Sequence, residues 1–516
     1  MYWVRRSAIL LVVLLCLSLV AWSVPRILDP TSKDAEKRAK DRRWVASSPY
    51  FLDRQLCRWI SLCGIHHIRK DPASHGYDWE DDLDDDEYDD DLSGELRRVR
   101  AWDEDVVAPS GKRDVLQRRR VLKEVPDYVY RYAPLVHLYS GEEFWPSDIR
   151  EHLEHMTVYQ DSTVHNSTEW SLHNLGQLNK LNGMVTLHSN DDVESRPPWL
   201  HSHNNIPQPF EDDPDAGGSP PARRPYKEDL SNREHSTWYD TNKDHPVHRL
   251  SDPRKYGSSF DRSRRNRYLT KNPLEERGHK PDSDGYSRAP AVLVLVDKGE
   301  GVVDAFWFFF YSYNLGQTVF GMRFGNHVGD WEHFMIRFQD GKPRGVFLSE
   351  HEAGQSYVWE ALEKSSTGRP IIYSAVGSHA MYPQAGDHPY VLPFKLLKDV
   401  TDKGPLWDPG LNNYAYHYDY TLEKEVEESS STRRRPSLVA AANNPQAPTS
   451  WFHYTGRWGD EVYALSDLRQ WRLFGQYHYT TGPTGPKFKS LDRKQLCKKD
   501  KCLVGYELDP KRSWRD

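Results

Sequence analysis

The stretch from 289 to 376 constrains the fold more than any other part of this 516-residue chain. It opens with APAVLVLVDK and continues as short apolar runs at 292–296, 306–313, 333–338, 346–349, 356–360 and 371–376. Gly, Asp or Pro punctuation separates one run from the next. Runs of this length, rich in β-branched and aromatic residues, read as strands. Their close spacing leaves little room for helical crossovers, so a β-sandwich is expected rather than alternating strand–helix units. The predicted class is mainly β: a β-sandwich domain with short helices, an N-terminal transmembrane anchor and long disordered insertions.

The domain cannot fill the chain. Only 37% of residues are hydrophobic and the mean hydropathy is −0.81, although aromatics make up 12%. The reading that reconciles these values is one aromatic-rich domain built from 125–186 and 289–490, interrupted by polar stretches. The insertions are expected at 187–288 and 421–449, and a charged, largely disordered stalk is expected at 25–124. Residues 491–516 form a C-terminal cysteine-containing tail. Within 125–156, alternating apolar residues predict a strand, and Trp145-Pro146-Ser147-Asp148 predicts a turn and cap before a short helix. The net charge of −7 is local in origin: DWEDDLDDDEYDDD, residues 78–91, carries eleven acidic residues, and without them the chain would sit at +4. Such a block repels itself and stays solvated. It lacks the spacing, glycine and terminal glutamate of a calcium loop. Basic clusters follow at 97–100 and 118–120, but nothing resembles a nucleic-acid face.

After a short basic flank, 1–7, residues 8–24 read AILLVVLLCLSLVAWSV without a charge. That length lies at the short end of what spans a bilayer, which predicts a signal anchor. The small-x-small pattern Ala21-Trp22-Ser23 keeps a cleaved signal peptide as the alternative. Basic residues after the segment would hold the bulk of the chain in the cytoplasm. Against them, Asn166-Ser167-Thr168 is a glycosylation acceptor, which is used only in the lumen. Cys57 and Cys63 near one end, and Cys497 and Cys502 near the other, form two close pairs that suggest disulfides in an oxidising compartment, with three connectivities open. A four-cysteine zinc site would need tighter spacing. The expectation is a single-pass membrane protein of the secretory system with its bulk in the lumen, touching the membrane through its N-terminal helix.

The chemistry is densest in GNHVGDWEHFMIRF, residues 325–338. On a strand, Asp330, Glu332, Phe334 and Ile336 share one face, and Trp331, His333, Met335 and Arg337 share the other. Two carboxylates thus continue a line of core residues, where each must be paired, hydrogen-bonded or bound to a cation. Gly325 and Gly329 allow the turn that brings His327 to the same edge. His327, Asp330 and Glu332 together suit a divalent cation such as Mg²⁺, Ca²⁺, Mn²⁺ or Zn²⁺. The same residues suit a structural hydrogen-bonding network, which is the first expectation for carboxylates at a strand mouth. His351, His379, Asp387 and His388 lie in similar post-strand clusters and are candidate additional ligands. No catalytic motif is present: there is no G-x-S-x-G elbow, and adjacent Ser378 and His379 cannot face each other as nucleophile and base.

Several motifs together carry a resemblance. DWEHFMIRF, YSAVGSHAMYP, RWGD at 457–460, GPTGP and PDYVYRYAPLVHLYSGEEFWPSDI are similar to the fungal vacuolar protein sorting-associated protein 62 family. The likeness covers 125–186 and 289–490, and it extends to the N-terminal anchor and CRWISLCG. It implies a role in delivering proteins to the vacuole and brings no known catalytic activity; the expectation is a non-enzymatic protein. A second, local likeness concerns GNHVGDWEH alone. Necrosis-inducing cytolysins carry GHRHDWEH on a β-sandwich, where the first His, the Asp and the Glu line a cation site. His327, Asp330, Trp331, Glu332 and His333 match by position; the glycine falls one place early, at Gly325, and Gly329 replaces the middle histidine. This likeness implies a cation site at His327, Asp330 and Glu332; the alternative function is a divalent-cation-dependent lipid- or glycan-binding module, or a hydrolase, built on that site.

Overall fold

The computed structural model describes residues 2–28, 39, 43, 47–68, 124–160, 163–165, 170–181, 183–202, 279–319, 321–351, 353–389, 398–423, 436–473, 475–498 and 502–508. The acidic tract 78–91, both basic clusters and Asn166 lie outside them.

The chain is mainly β, and the apolar runs of the sequence form its centre. An eight-stranded sheet runs in the order Leu438–Ala440, Asn413–Tyr418, Ala291–Gly299, Val302–Asn314, His327–Gln339, Lys342–Glu350, Ala353–Val358 and Val504–Gly505. The five strands from Ala291 to Val358 form an antiparallel meander joined by short turns, except between Asn314 and His327, where a small hairpin of Gln317–Val319 and Met322–Phe324 intervenes. Chain-distant segments close it on both sides: Asn413–Tyr418 pairs parallel to Ala291–Gly299, and Val504–Gly505 pairs parallel to Ala353–Val358.

Both faces of this sheet are buried, which is why its strands read as continuous apolar runs rather than alternating ones. On one face, Leu293, Trp307, Phe309, Phe334 and Ile336 pack against Val136, Ile372, Met381 and Trp407. Those four belong to a second, four-stranded sheet that includes Leu135–His137 and Ile371–Ser374. On the other face, Val294, Phe308, Trp331, Met335 and Phe347 meet Val158, Leu175, Leu187, Trp451 and Trp458. The expected sandwich therefore describes one side only. The other side is covered by a small sheet of Met156–Gln160, Thr163–His165 and Val185–Ser189, together with 3-10 turns at Leu175–Lys180 and Ser450–His453.

Several local expectations need correction. In the expected N-terminal strand, Asp127–Arg131 is a short helix, and only Leu135–His137 is extended. Asp148 does cap the next helix, Ile149–Glu154, its side chain accepting from Arg150 N at 2.8 Å. Order also runs past the expected boundary at 187: 3-10 turns at Val193–Ser195 and Pro198–His201 bury Val193, Trp199 and Leu200. Leu438–Ala440, inside the expected insertion at 421–449, is an edge strand of the central sheet. In the expected stalk, Phe51–Ile60 is a helix, and Leu62–Cys63 pairs with Arg472–Leu473. Apart from Phe51–Ile60, whose amphipathic spacing is visible in DRQLCRWI, these pieces escaped the sequence because each is too short to show a period. They are ordered by the surfaces they cover.

The cysteines pair locally, Cys57 with Cys63 and Cys497 with Cys502. Residues Tyr2–Leu28 form one helix. Among the described residues, no helix is long and apolar enough to cross a membrane. Apolar side chains between Ile9 and Val20 are exposed along the helix.

Candidate functional site

The strand His327–Gln339 carries the candidate residues through the middle of the molecule. Its register sets Asp330 opposite Tyr311 and Glu332 opposite Phe309, and both carboxylates are buried. Just before Asp330, Gly329 turns the chain at φ +68°, with its Cα packed so closely that an added Cβ would meet Trp458 O at 2.3 Å. That turn lets His327 bend back and donate from Nδ1 to Gly329 O at 2.7 Å. Beyond Asp330 the two faces part company, as the alternation predicts. Trp331 packs among Phe310, Trp451 and Trp458, while His333 is sealed between Phe306, Phe308 and Phe347 and is held well below its usual range by burial.

Asp330 is answered by His379. The imidazole Nδ1 donates to Asp330 Oδ2 at 3.1 Å, and Nε2 donates to Phe144 O at 3.1 Å, with Glu142 Oε1 3.8 Å away. With both ring nitrogens donating, the ring is the imidazolium. It lies flat on Tyr311 with ring centroids 3.7 Å apart. Burial opposes the charge, but Asp330 and Glu142 outweigh it and push His379 up to about 9. Reciprocally, burial raises the Asp330 carboxyl, yet its bond to His379 and the nearby imidazoles leave it below its ordinary value.

Glu332 has no such cation. It accepts from the Ser349 hydroxyl, whose oxygen in turn accepts from His333 N at 2.7 Å. Burial, then the charge of Asp330 on the same face, push it up to about 7. The consequence for stability has a definite sign. The folded protein holds this proton more tightly than the unfolded chain, so stability falls as pH rises from about 4.5 to about 7. Glu332→Gln keeps an acceptor for Ser349 and removes that loss. We expect the variant to gain roughly 2–4 kcal/mol over wild type between pH 4.5 and 8, read from denaturation midpoints. Parallel pH profiles for the two proteins would refute this account of Glu332.

A second ion pair lies alongside. His351 Nε2 contacts Asp399 Oδ2 at 2.9 Å, and the buried Asp399 also accepts from Tyr382 Oη at 2.7 Å, Ser378 Oγ at 2.8 Å and Gln317 Nε2 at 3.1 Å. Burial works against the His351 charge, but Asp399 carries it up to about 9. His351 and His379 both sit at positive φ, 53° and 54°, a backbone state that costs L-residues about 1–3 kcal/mol. The ion pairs hold both turns in place. Next to them opens a cavity of about 450 Å³ lined by Tyr139, Glu142, Gln317, Arg323 and Lys398.

Of the residues singled out from sequence, Asp330, Glu332 and His379 come together, with His327 and His351 at their border. Asp387 and His388 do not join them. They lie on the hairpin strand Gly386–Pro389, where Asp387 pairs at the surface with Lys398, and His388 bonds Thr401 Oγ1 at 2.9 Å and stacks on Tyr382. Burial takes His388 down to about 4. Among the described residues, no three His, Cys, Asp or Glu side chains are arranged to hold a metal ion. Sequence reasoning missed Glu142, Ser349, Asp399 and Tyr382. Glu142 stands in a charged turn and Asp399 in the unremarkable KDVT, so neither gave a signal.

The architecture defines a class first: a mainly β domain whose centre is a buried network of histidine–carboxylate pairs. Comparison of the chain with known families then matches residues 305–392 to vacuolar protein sorting-associated protein 62. Two Saccharomyces cerevisiae proteins are similar over most of their length. One, TDA6, bears a provisional vacuolar protein sorting-associated name; it is 35% identical over 408 residues, covering 72% of this chain and 68% of the relative. The other, vacuolar protein sorting-associated protein 62, is 31% identical over 438 residues, covering 78% and 74%. The chain belongs to the vacuolar protein sorting-associated protein 62 family. No solved structure matches it significantly.

Proposed function

We propose that this chain is a membrane-anchored, non-enzymatic protein of the vacuolar protein-sorting system, with its β domain in the lumen. The observation that carries the non-enzymatic reading is the closure of the candidate site. Asp330, Glu332 and Asp399 are buried and each is engaged by the protein's own donors, which suits a rigid scaffold better than a reaction centre. Sorting is supported by the names of both yeast relatives. The disulfides support an oxidising lumen. The anchor rests on the sequence alone, on the 17 uncharged residues 8–24. Asn166 is the proposed glycosylation site on that side of the membrane.

One observation favours a second reading. Asp330 and Glu332 face the same way, and the charge of one raises the other. A divalent cation held by His327, Asp330 and Glu332 would relieve that repulsion and make the neighbouring cavity a lipid- or glycan-binding site. Two measurements decide between the readings. In cells lacking the gene, the fraction of a vacuolar hydrolase lost to the medium should rise and be restored by wild type and Glu332→Gln alike; unchanged delivery in the deletion would defeat the sorting role. Elemental analysis and chelator-sensitive melting of purified wild type should show no stoichiometric metal. Bound metal, released in Glu332→Gln with failed complementation, would establish the second reading instead.

A further inference from the structure

The helix Phe51–Ile60 is fixed to the domain by one side and exposes an apolar surface on the other. Its inner side is tied down by several independent bonds. Asp53 accepts from Ser48 Oγ at 2.9 Å and from Ile65 N at 3.0 Å, and Cys57 is bridged to Cys63. Cys63 in turn lies in a strand register with Arg472. This is a rigid mounting, not a loose arm. Its outer side carries Phe51, Leu52 and Trp59 at 67%, 57% and 62% exposure, with Arg58 exposed beside them. Tyr50, also exposed, precedes the helix and stacks on His66. The adjoining loop, held by Ser466 N to Ser47 Oγ at 3.2 Å, adds an exposed Leu468.

Apolar, Trp and Arg side chains on one face of a short helix are the chemistry of a bilayer interface. Two further features point to lipid rather than a protein partner. The helix Tyr2–Leu28, which carries exposed apolar side chains between Ile9 and Val20, touches this one. The segment joining them carries Lys33, Lys37, Arg38, Lys40, Arg42 and Arg43 against Asp29, Asp34, Glu36 and Asp41, a net charge of +2 that complements anionic headgroups.

We infer that Phe51–Ile60 is a second membrane contact, lying in the headgroup plane and seating the β domain directly on the bilayer. The inference extends the anchored reading above. Where an anchor alone would let the domain swing on its linker, this helix fixes which side of the domain faces the lipid. The edge bearing Arg472–Leu473 is then held against the membrane, because it pairs with the strand that follows the helix.

The test uses the full chain reconstituted into phosphatidylcholine vesicles with or without phosphatidylserine, doped with a diazirine-bearing lipid. Labelled peptides are mapped by mass spectrometry after photolysis. Label is expected in both 2–28 and 50–60, and that in 50–60 should rise when phosphatidylserine is present. Arg58→Gln should lower label in 50–60 about five-fold, as expected for one basic residue at an anionic surface. Phe51→Ser with Leu52→Ser and Trp59→Ser should abolish it while the thermal melt is kept, since these side chains are exposed. Label in 2–28 without label in 50–60 overturns the inference and leaves the anchor standing. Label in 50–60 without label in 2–28 keeps this contact and overturns the anchor; label in neither overturns both.

Discussion

Asp330→Asn is expected to destabilise the domain by roughly 3–5 kcal/mol, the cost of removing one partner from a buried ion pair. The substitution leaves the His379 imidazolium between Tyr311, Phe144 O and Glu142 with its nearest carboxylate gone. His379→Gln should cost a similar amount, and the double variant should cost far less than the sum, because the second change removes the stranded charge. Additive losses in denaturant midpoints would mean that the two side chains do not act as a pair. The pH dependence follows from the two shifts. His379 is raised from 6.5 to about 9, so its contribution is complete below pH 6.5 and is lost as pH rises through 9. Asp330 is lowered, so its contribution is present above pH 3.8 and is lost as pH falls below that value. His351 titrates against Asp399 over the same alkaline range. The informative quantity is therefore the difference between wild type and His379→Gln, which should shrink between pH 6.5 and 9.

Gly329→Ala should be the most damaging single methyl group in the domain's central strand. The backbone there is left-handed, which costs an L-residue about 1–2 kcal/mol. The new Cβ would also lie 2.3 Å from Trp458 O, and relieving that overlap adds about 1–3 kcal/mol. Trp458 belongs to the aromatic cluster around Trp331, so the displacement reaches the opposite face of the sheet from Asp330. We expect a loss of roughly 2–5 kcal/mol in denaturation, accompanied by a change in near-ultraviolet circular dichroism from the tryptophans. Gly368→Ala provides the control, because Gly368 also has positive φ but no atom lies within 4 Å of where the new methyl group would stand. Equal losses at the two positions would show that backbone strain alone, and not the approach to Trp458, sets the cost.

The meander was legible in sequence because each strand is long enough to fill both faces, as in 292–296 and 306–313. The alternation at 330–337 also placed Phe334 and Ile336 on one side and Trp331 and Met335 on the other, where the structure has them. What could not be read are contacts between elements far apart in the chain. His379 reaches Asp330 because the turn after Ile371–Ser374 folds back over the central strand, and Glu142 arrives from the turn after Leu135–His137. A histidine at positive φ has no sequence signature either; Gly377 and Ser378 mark a turn without saying where its histidine will point. For the same reason Asp387 and His388 looked equivalent to His379. Their strand pairs instead with Lys398–Thr401, a register that leaves Asp387 at the surface and lays His388 against Tyr382, away from Asp330.

The parallel pairing of Leu135–His137 with Ile371–Tyr373 sets an order on assembly. The first strand is made early but has no neighbour on that side until 371–373 has left the ribosome, and Leu406–Trp407, its other neighbour, comes later still. The meander 291–358 can pair with itself at once, being local. Its broad apolar faces stay uncovered until Trp407, Trp451 and Trp458 arrive. Such delayed closure favours slow maturation and leaves nascent chains open to aggregation. In this protein, dependence on chaperones would be greatest during the synthesis of the stretch between Val358 and Trp458.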